Sequence, residues 1–233
     1  MARKKGPQVD QAYQYIQHKI LAYEIPPGNP VSDHAIAAEL GMSRAPVREA
    51  ILKLEAVGLV ERGEHGAVCA TLGKEDIEEI CRLRLVLETL AVELIFEKGG
   101  LAPEQKEELK RVYQALSAAS QQEERAYQKN YQWDDTFHST IVSFSGNKRL
   151  IHMLELMQLQ ITRARWLNVL EPRHQAAYEE HKQIYEALMA GDGRTSKEAM
   201  GLHLKRTEEN FMRILESPQY RMIQLGSASL RTD

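Results

Sequence analysis

The sequence predicts a mainly α fold in two parts, three helices closed by a β-hairpin and then an all-α helical bundle. Three observations carry this. The strand signals are two short runs, Gly58-Leu59-Val60-Glu61-Arg62 and Ala67-Val68-Cys69-Ala70. From Lys74 onward apolar residues recur only at helical spacing. The breaks between the later helices are short, namely Gly99-Gly100, Ser145-Gly146-Asn147 and Gly191-Asp192-Gly193, which implies antiparallel neighbours in a bundle.

Residues 8–23 carry Tyr13, Ile16, Ile20 and Leu21 at the spacing of one helical face, and Ile25-Pro26-Pro27-Gly28-Asn29-Pro30 ends that helix. Ser32 is placed to cap a short second helix whose inner face is Ile36, Ala37 and Leu40, with Gly41 supplying the turn. The third helix starts with Ser43 as N-cap, and Pro46 falls in its first turn, where a missing N–H costs nothing. Val47, Ala50, Ile51 and Leu54 form its buried face and leave Arg44, Ala45, Arg48 and Lys53 outside. Gly63-Glu64-His65-Gly66 has the glycines of a hairpin tip between the two strands. Three helices and this hairpin make a winged helix-turn-helix over residues 8–73. The second part, 74–216, reads as helices at about 75–98, 103–119, 124–145, 147–167, 171–190 and 195–215, and 217–233 reads as a loose tail.

Composition narrows the function. A chain of 233 residues with 43% hydrophobic and 27% charged content can bury real cores. A net charge of -3 gives no global attraction for nucleic acid, so any such contact needs a local patch; Arg3-Lys4-Lys5 is a small one. Cys69 and Cys81 are too few for a disulfide framework and read as buried free thiols. No apolar run approaches the ~20 residues of a membrane span, and no secretory signal follows the basic start. A cytoplasmic protein with no membrane partner is expected.

Arg44 and Arg48 lie four residues apart near the start of the third helix, opposite its apolar stripe. A guanidinium there pairs with guanine O6 and N7 or clamps a phosphate, and the helix N-terminus and Ser43 favour the same backbone. The alternative is a pair of surface ion pairs with Glu49 or Glu55. His65 and Gly66 form the wing tip, either at a groove or phosphate or exposed without a role.

The run Ala37-Ala38-Glu39-Leu40-Gly41-Met42-Ser43-Arg44-Ala45-Pro46-Val47-Arg48-Glu49-Ala50-Ile51, with Leu54, Gly58-Leu59-Val60 and His65-Gly66, resembles the winged-helix domain of GntR-family bacterial transcription regulators. The resemblance implies that Ser43, Arg44, Ala45, Arg48, His65 and Gly66 touch a double-stranded DNA operator. Where that family usually has arginine or lysine, this chain has His34, so a DNA contact there is either lost or depends on pH.

Asp134 and His138, four apart on one predicted helix, point the same way, while His181 and His203 lie on two others. The spacing suits a helical metal site, and equally suits ordinary polar helix residues. Arg84-Leu85-Val86-Leu87-Glu88, Asp134 with Phe137-His138, Ser145-Gly146-Asn147, Glu180-His181 and His203 resemble the FCD ligand-binding domain of FadR-subfamily GntR regulators. The resemblance implies a divalent metal held by Asp134, His138, His181 and His203. Such a set suits Zn, Ni, Mn or Co. Arg84, which either clamps a small organic acid effector or pairs with Glu88 on the helix surface, matches the family's pocket arginine. The expectation is a homodimeric, effector-responsive regulator on a pseudo-palindromic operator, with Thr71-Leu72-Gly73-Lys74 as its hinge. A helical half that only dimerises is the alternative. A metal-dependent hydrolase is disfavoured, because no His-Glu-x-x-His pattern occurs and Glu180 points roughly 100° away from His181 on its helix.

Overall fold

The computed structural model describes residues 6–22, 24–120, 127–169 and 173–220. The chain divides into two compact units, Met1–Gly73 with Pro218–Asp233, and Lys74–Ser217. Arg3-Lys4-Lys5, the expected helical starts at 124–126 and 171–172, and the tail beyond 220 lie outside the described residues.

The first unit holds α1 (Gly6–Leu21), α2 (Asp33–Glu39), α3 (Arg44–Ala56) and the antiparallel hairpin β1 (Val60–Gly63) with β2 (Gly66–Cys69). The buried face of α1 is Val9, Ala12, Ile16 and Ile20. This corrects the expected Tyr13 and Leu21, which are only partly covered. The small Ala12 lets α1 close onto α3, whose inner face is Val47, Ala50, Ile51 and Leu54 as its spacing requires. Of the expected inner face of α2, Ile36 and Ala37 are buried and Leu40 is partly covered. Glu39 ties α2 to α1, accepting from Tyr15 at 2.5 Å and Lys19 at 2.6 Å. Ser32 Oγ accepts from Ala35 N at 3.2 Å as the cap of α2. Gly41, at φ +62°, makes the reversal into α3 that a side chain would strain. The hairpin starts two residues later than its sequence signal and closes over Glu64-His65, with Gly63 opposite Gly66. Pro30 bridges Val68, so a third short extended segment flanks the hairpin. Sequence periodicity cannot register a segment of one residue.

The second unit is helical: α4 (Lys74–Glu97), α5 (Pro103–Ser120), α6 (Tyr127–Phe144), α7 (Lys148–Arg165), a 3-10 turn at Trp166–Val169, α8 (His174–Ala190) and α9 (Gly193–Leu215). The central α4 packs against α6, α7 and α9. The core is Val92, Ile95, Leu109, Leu116, Phe137, Ile141, Ile184, Leu188, Met200 and Leu204. Asn147 caps α7 by accepting from Arg149 N and Leu150 N, both at 3.2 Å. The start of α9 lies so close to α4 that a Cβ on Gly193 would stand 2.6 Å from Phe96 Cγ. Among the described residues no helix is long and apolar enough to cross a membrane.

Candidate functional site

Two sites emerge, one in each unit. In the first, the apolar stripe of α3 turns its opposite face outward. Ser43, Arg44, Ala45 and Arg48 are exposed there, as are His34 at the start of α2 and His65 and Gly66 at the hairpin tip. Ser43 has the extended backbone of an N-cap but its side chain makes no capping bond. Both arginines converge on Asp33, a partner the sequence did not single out. Arg44 donates from Nη2 at 2.9 Å and Arg48 from Nε at 2.5 Å. The Arg44 hydrogen bond, opposed by partial burial and reinforced by Arg48, holds the Asp33 carboxyl below its usual range. Glu55 instead faces Arg62, at 3.5 Å.

The second site lies inside the helical unit. Helical spacing puts Asp134 and His138 on one side of α6, while α8 brings His181 and α9 brings His203 to the same point. The four residues offer donor atoms all within 4.8 Å of one another, and the three imidazoles are buried. His138 Nε2 lies 3.1 Å from His181 Nε2, and His181 Nε2 lies 3.0 Å from Asp134 Oδ1. Nitrogen and oxygen ligands held about 2.0–2.2 Å from one ion stand roughly 3.0–3.5 Å apart, so the donor set fits a divalent metal. Phe137 presses edge-on against His138 and His181 and gives the cluster an apolar wall.

Electrostatics at the cluster follow from burial against local charge. Burial raises the Asp134 carboxyl, but Arg165, 2.5 Å away, and then His181 outweigh it and hold the group well below the carboxylate range. Burial lowers His181, partly offset by Asp134. It lowers His203 further, helped by the neighbouring imidazoles of His181 and His138. Burial thus favours the neutral form of His181 and His203, the form in which an imidazole ligates a metal.

Beside the cluster is a cavity of about 70 Å³ whose walls include Arg84, Asp134, Arg165, Arg173, His181 and His203. That is room for a few water-sized groups, the scale of a small organic acid. The expected alternative for Arg84, a surface pair with Glu88, is half right: the pair exists at 2.5 Å but is buried. Arg84 Nη2 is buried without a hydrogen-bond partner, a strong donor left for an acceptor in the cavity.

Sequence reasoning missed the carboxylates behind the cluster. Glu88 lies 2.5 Å from His138 Nδ1, and Glu180 lies 2.8 Å from His203 Nδ1. The rotation that turns Glu180 away from His181 aims it at α9. An acid adjacent to a candidate ligand was the available signal. Of the two leucines flanking His203, Leu202 is exposed and Leu204 is buried.

Comparison with known proteins agrees with this division. Residues 8–68 match the family described as bacterial regulatory proteins, gntR family, and residues 79–206 match the FCD domain. The HTH-type transcriptional regulator LutR of Bacillus subtilis (strain 168) is 30% identical over 209 residues, covering 80% of this chain and 93% of LutR. YdhC of the same organism, also named an HTH-type transcriptional regulator, is 28% identical over 221 residues, covering 91% and 95%. The solved structure of McbR/YncC from E. coli shares the fold, with a TM-score of 0.72 at 22% identity over 88% of this chain and 97% of that one. LutR and YdhC are named as transcriptional regulators, not enzymes.

Proposed function

Since the chain belongs to the gntR family of bacterial regulatory proteins and carries an FCD domain, it is a transcription regulator, and we propose that a small carboxylate, bound beside a divalent metal, sets its affinity for an operator. Ser43, Arg44, Ala45, Arg48, His65, Gly66 and His34 meet the DNA, with the two arginines exchanging Asp33 for phosphate or guanine. The metal is held by Asp134, His138, His181 and His203. When bound, it supplies a Lewis-acidic position for a carboxylate oxygen. Arg84 clamps the same anion from the cavity wall.

The observation that carries this reading is the unpartnered, buried Nη2 of Arg84, a residue that lines the same cavity as Asp134, His181 and His203. A buried guanidinium donor without an acceptor is costly unless something fills the space. Dimerisation is supported by apolar side chains left outside. Leu83, Val86 and Leu90 are exposed on α4, opposite its buried face, with Met153 and Leu156 on α7 and Leu202 on α9. Both α7 and α9 pack against α4, so the outer apolar groups of the three helices suit a second copy. A two-fold dimer then predicts a pseudo-palindromic operator.

A thermal-shift screen of small organic acids, run with and without Zn²⁺ or Ni²⁺, tests the proposal. The expected result is a stabilising acid whose effect depends on the metal and that changes operator occupancy in a gel-shift assay. An acid that stabilises equally without metal, or no acid that stabilises, contradicts it. Turnover of the acid would point to the hydrolase instead.

A further inference from the structure

Two chains of side chains run from the cavity wall to the histidine cluster. In the first, Arg84 donates through Nε to Glu88 Oε1 at 2.5 Å, and Glu88 Oε2 lies 2.5 Å from His138 Nδ1. In the second, Arg173 donates through Nη2 to both oxygens of Glu180, at 2.7 and 2.8 Å. Arg206 adds a third bond to Glu180 at 3.2 Å, and Glu180 Oε2 lies 2.8 Å from His203 Nδ1. Glu88 is 0% exposed and Glu180 5%.

The direction of these bonds follows from the donor inventory. A carboxylate bound to guanidinium is ionised and can only accept. The imidazole nitrogen facing it must therefore carry the proton. A neutral imidazole has one N–H, so a proton on Nδ1 leaves the lone pair on Nε2. For His138 that nitrogen faces the cluster, 3.1 Å from His181 Nε2 and 4.0 Å from Asp134 Oδ2. The His203 ring lies nearly parallel to that of His138, centroids 5.1 Å apart.

We infer that Glu88 and Glu180 are positioning residues that lock His138 and His203 as Nδ1–H tautomers, each with its Nε2 lone pair directed at the metal. The inference rests on the metal-centre reading above. His181 differs: its Nε2 faces Asp134, itself in the ligand set, at 3.0 Å, and its ring meets Phe137 edge-on. Each glutamate removes the ring flip and the wrong tautomer, either of which withdraws a ligand from the ion.

Metal-stripped full-length protein, titrated with Zn²⁺ against a chromophoric chelator, tests this in wild type, Glu88→Gln and Glu180→Gln, with Glu93→Gln as a surface control. Each positioning variant should bind Zn²⁺ about 10–100-fold more weakly, and the control should match wild type. Long-range ¹H–¹⁵N spectra of metal-free wild type should show Nδ1–H for His138 and His203, a readout that a merely structural glutamate would not dictate and that needs no variant to fold. An Nε2–H tautomer at either histidine overturns the inference for its glutamate. Unchanged affinity in both variants overturns the positioning role while leaving the metal centre standing. Wild type that fails to bind Zn²⁺ removes the metal centre and this inference with it.

Discussion

Asp33 gathers Arg44 and Arg48 on one carboxylate at the surface of the winged helix. Exposed ion pairs of this kind contribute only about 0–1 kcal/mol. A phosphate or a guanine edge, met by the same guanidinium fork, competes with that hold. Arg48→Ala should therefore weaken operator binding by about 1–3 kcal/mol, roughly 5- to 150-fold, in a gel shift at fixed salt. Unchanged affinity would remove Arg48 from the interface. In the helical unit, Arg84→Ala should retain the metal by elemental analysis but lose the response to the acid found by thermal shift; an unaltered response would exclude the clamp. Cys81 offers a pH test away from either interface. Burial pushes its thiol up to about 12. Unfolding exposes it to ionise near its ordinary value, so the stability it contributes is full below about pH 8.5. That contribution is lost as pH rises toward 12. Iodoacetamide at pH 8 should label the native protein at Cys81 far more slowly than the denatured chain; equal rates would contradict its burial.

Among the helices, the contact between Gly193 and Phe96 sets how closely the start of α9 approaches α4. Gly193→Ala forces Phe96 aside and should destabilise the unit by about 1–3 kcal/mol, read as a lowered Tm; an unchanged Tm would mean that Phe96 moves freely. The seam of α1 on α3 gives a second check. Ile16→Ala should cost about 2–5 kcal/mol, since Ile16 is fully covered. The inner face of α3 was legible in the chain because four apolar residues at i, i+3, i+4 and i+7 leave one solution. The face of α1 was not, since Tyr13 and Leu21 compete with Val9 and Ala12, and the close approach to α3 favours the smaller side. Glycine spacing marked the hairpin, but the bridge at Pro30 depends on partners far along the chain.

At the scale of the whole molecule, the dimer proposed above would join two helical halves through the outer faces of α4, α7 and α9. Val86→Asp with Leu90→Asp should convert it to monomer in sedimentation, with metal content kept, because the change lies opposite the cluster. A dimer that persists would move the interface elsewhere. Coupling between effector and DNA of about 1–3 kcal/mol is enough to alter operator occupancy 5- to 150-fold. His181→Ala should lower bound metal and abolish metal-dependent stabilisation, and full stoichiometry would strike it from the ligand set.

Local pattern was sufficient for the winged helix and the helical bundle, whereas the set Asp134, His138, His181 and His203 was legible only through the family resemblance. Periodicity and capping act over a few residues, and Asp134 with His138 share one helical turn. Tertiary packing alone decided which carboxylates stand behind His138 and His203, that the Arg84–Glu88 pair is buried, and that Asp33 holds both Arg44 and Arg48. Those contacts join residues 11 to 50 positions apart or depend on which helix face is covered. Helical spacing orients a side chain about its own axis but carries no information about the neighbour it meets.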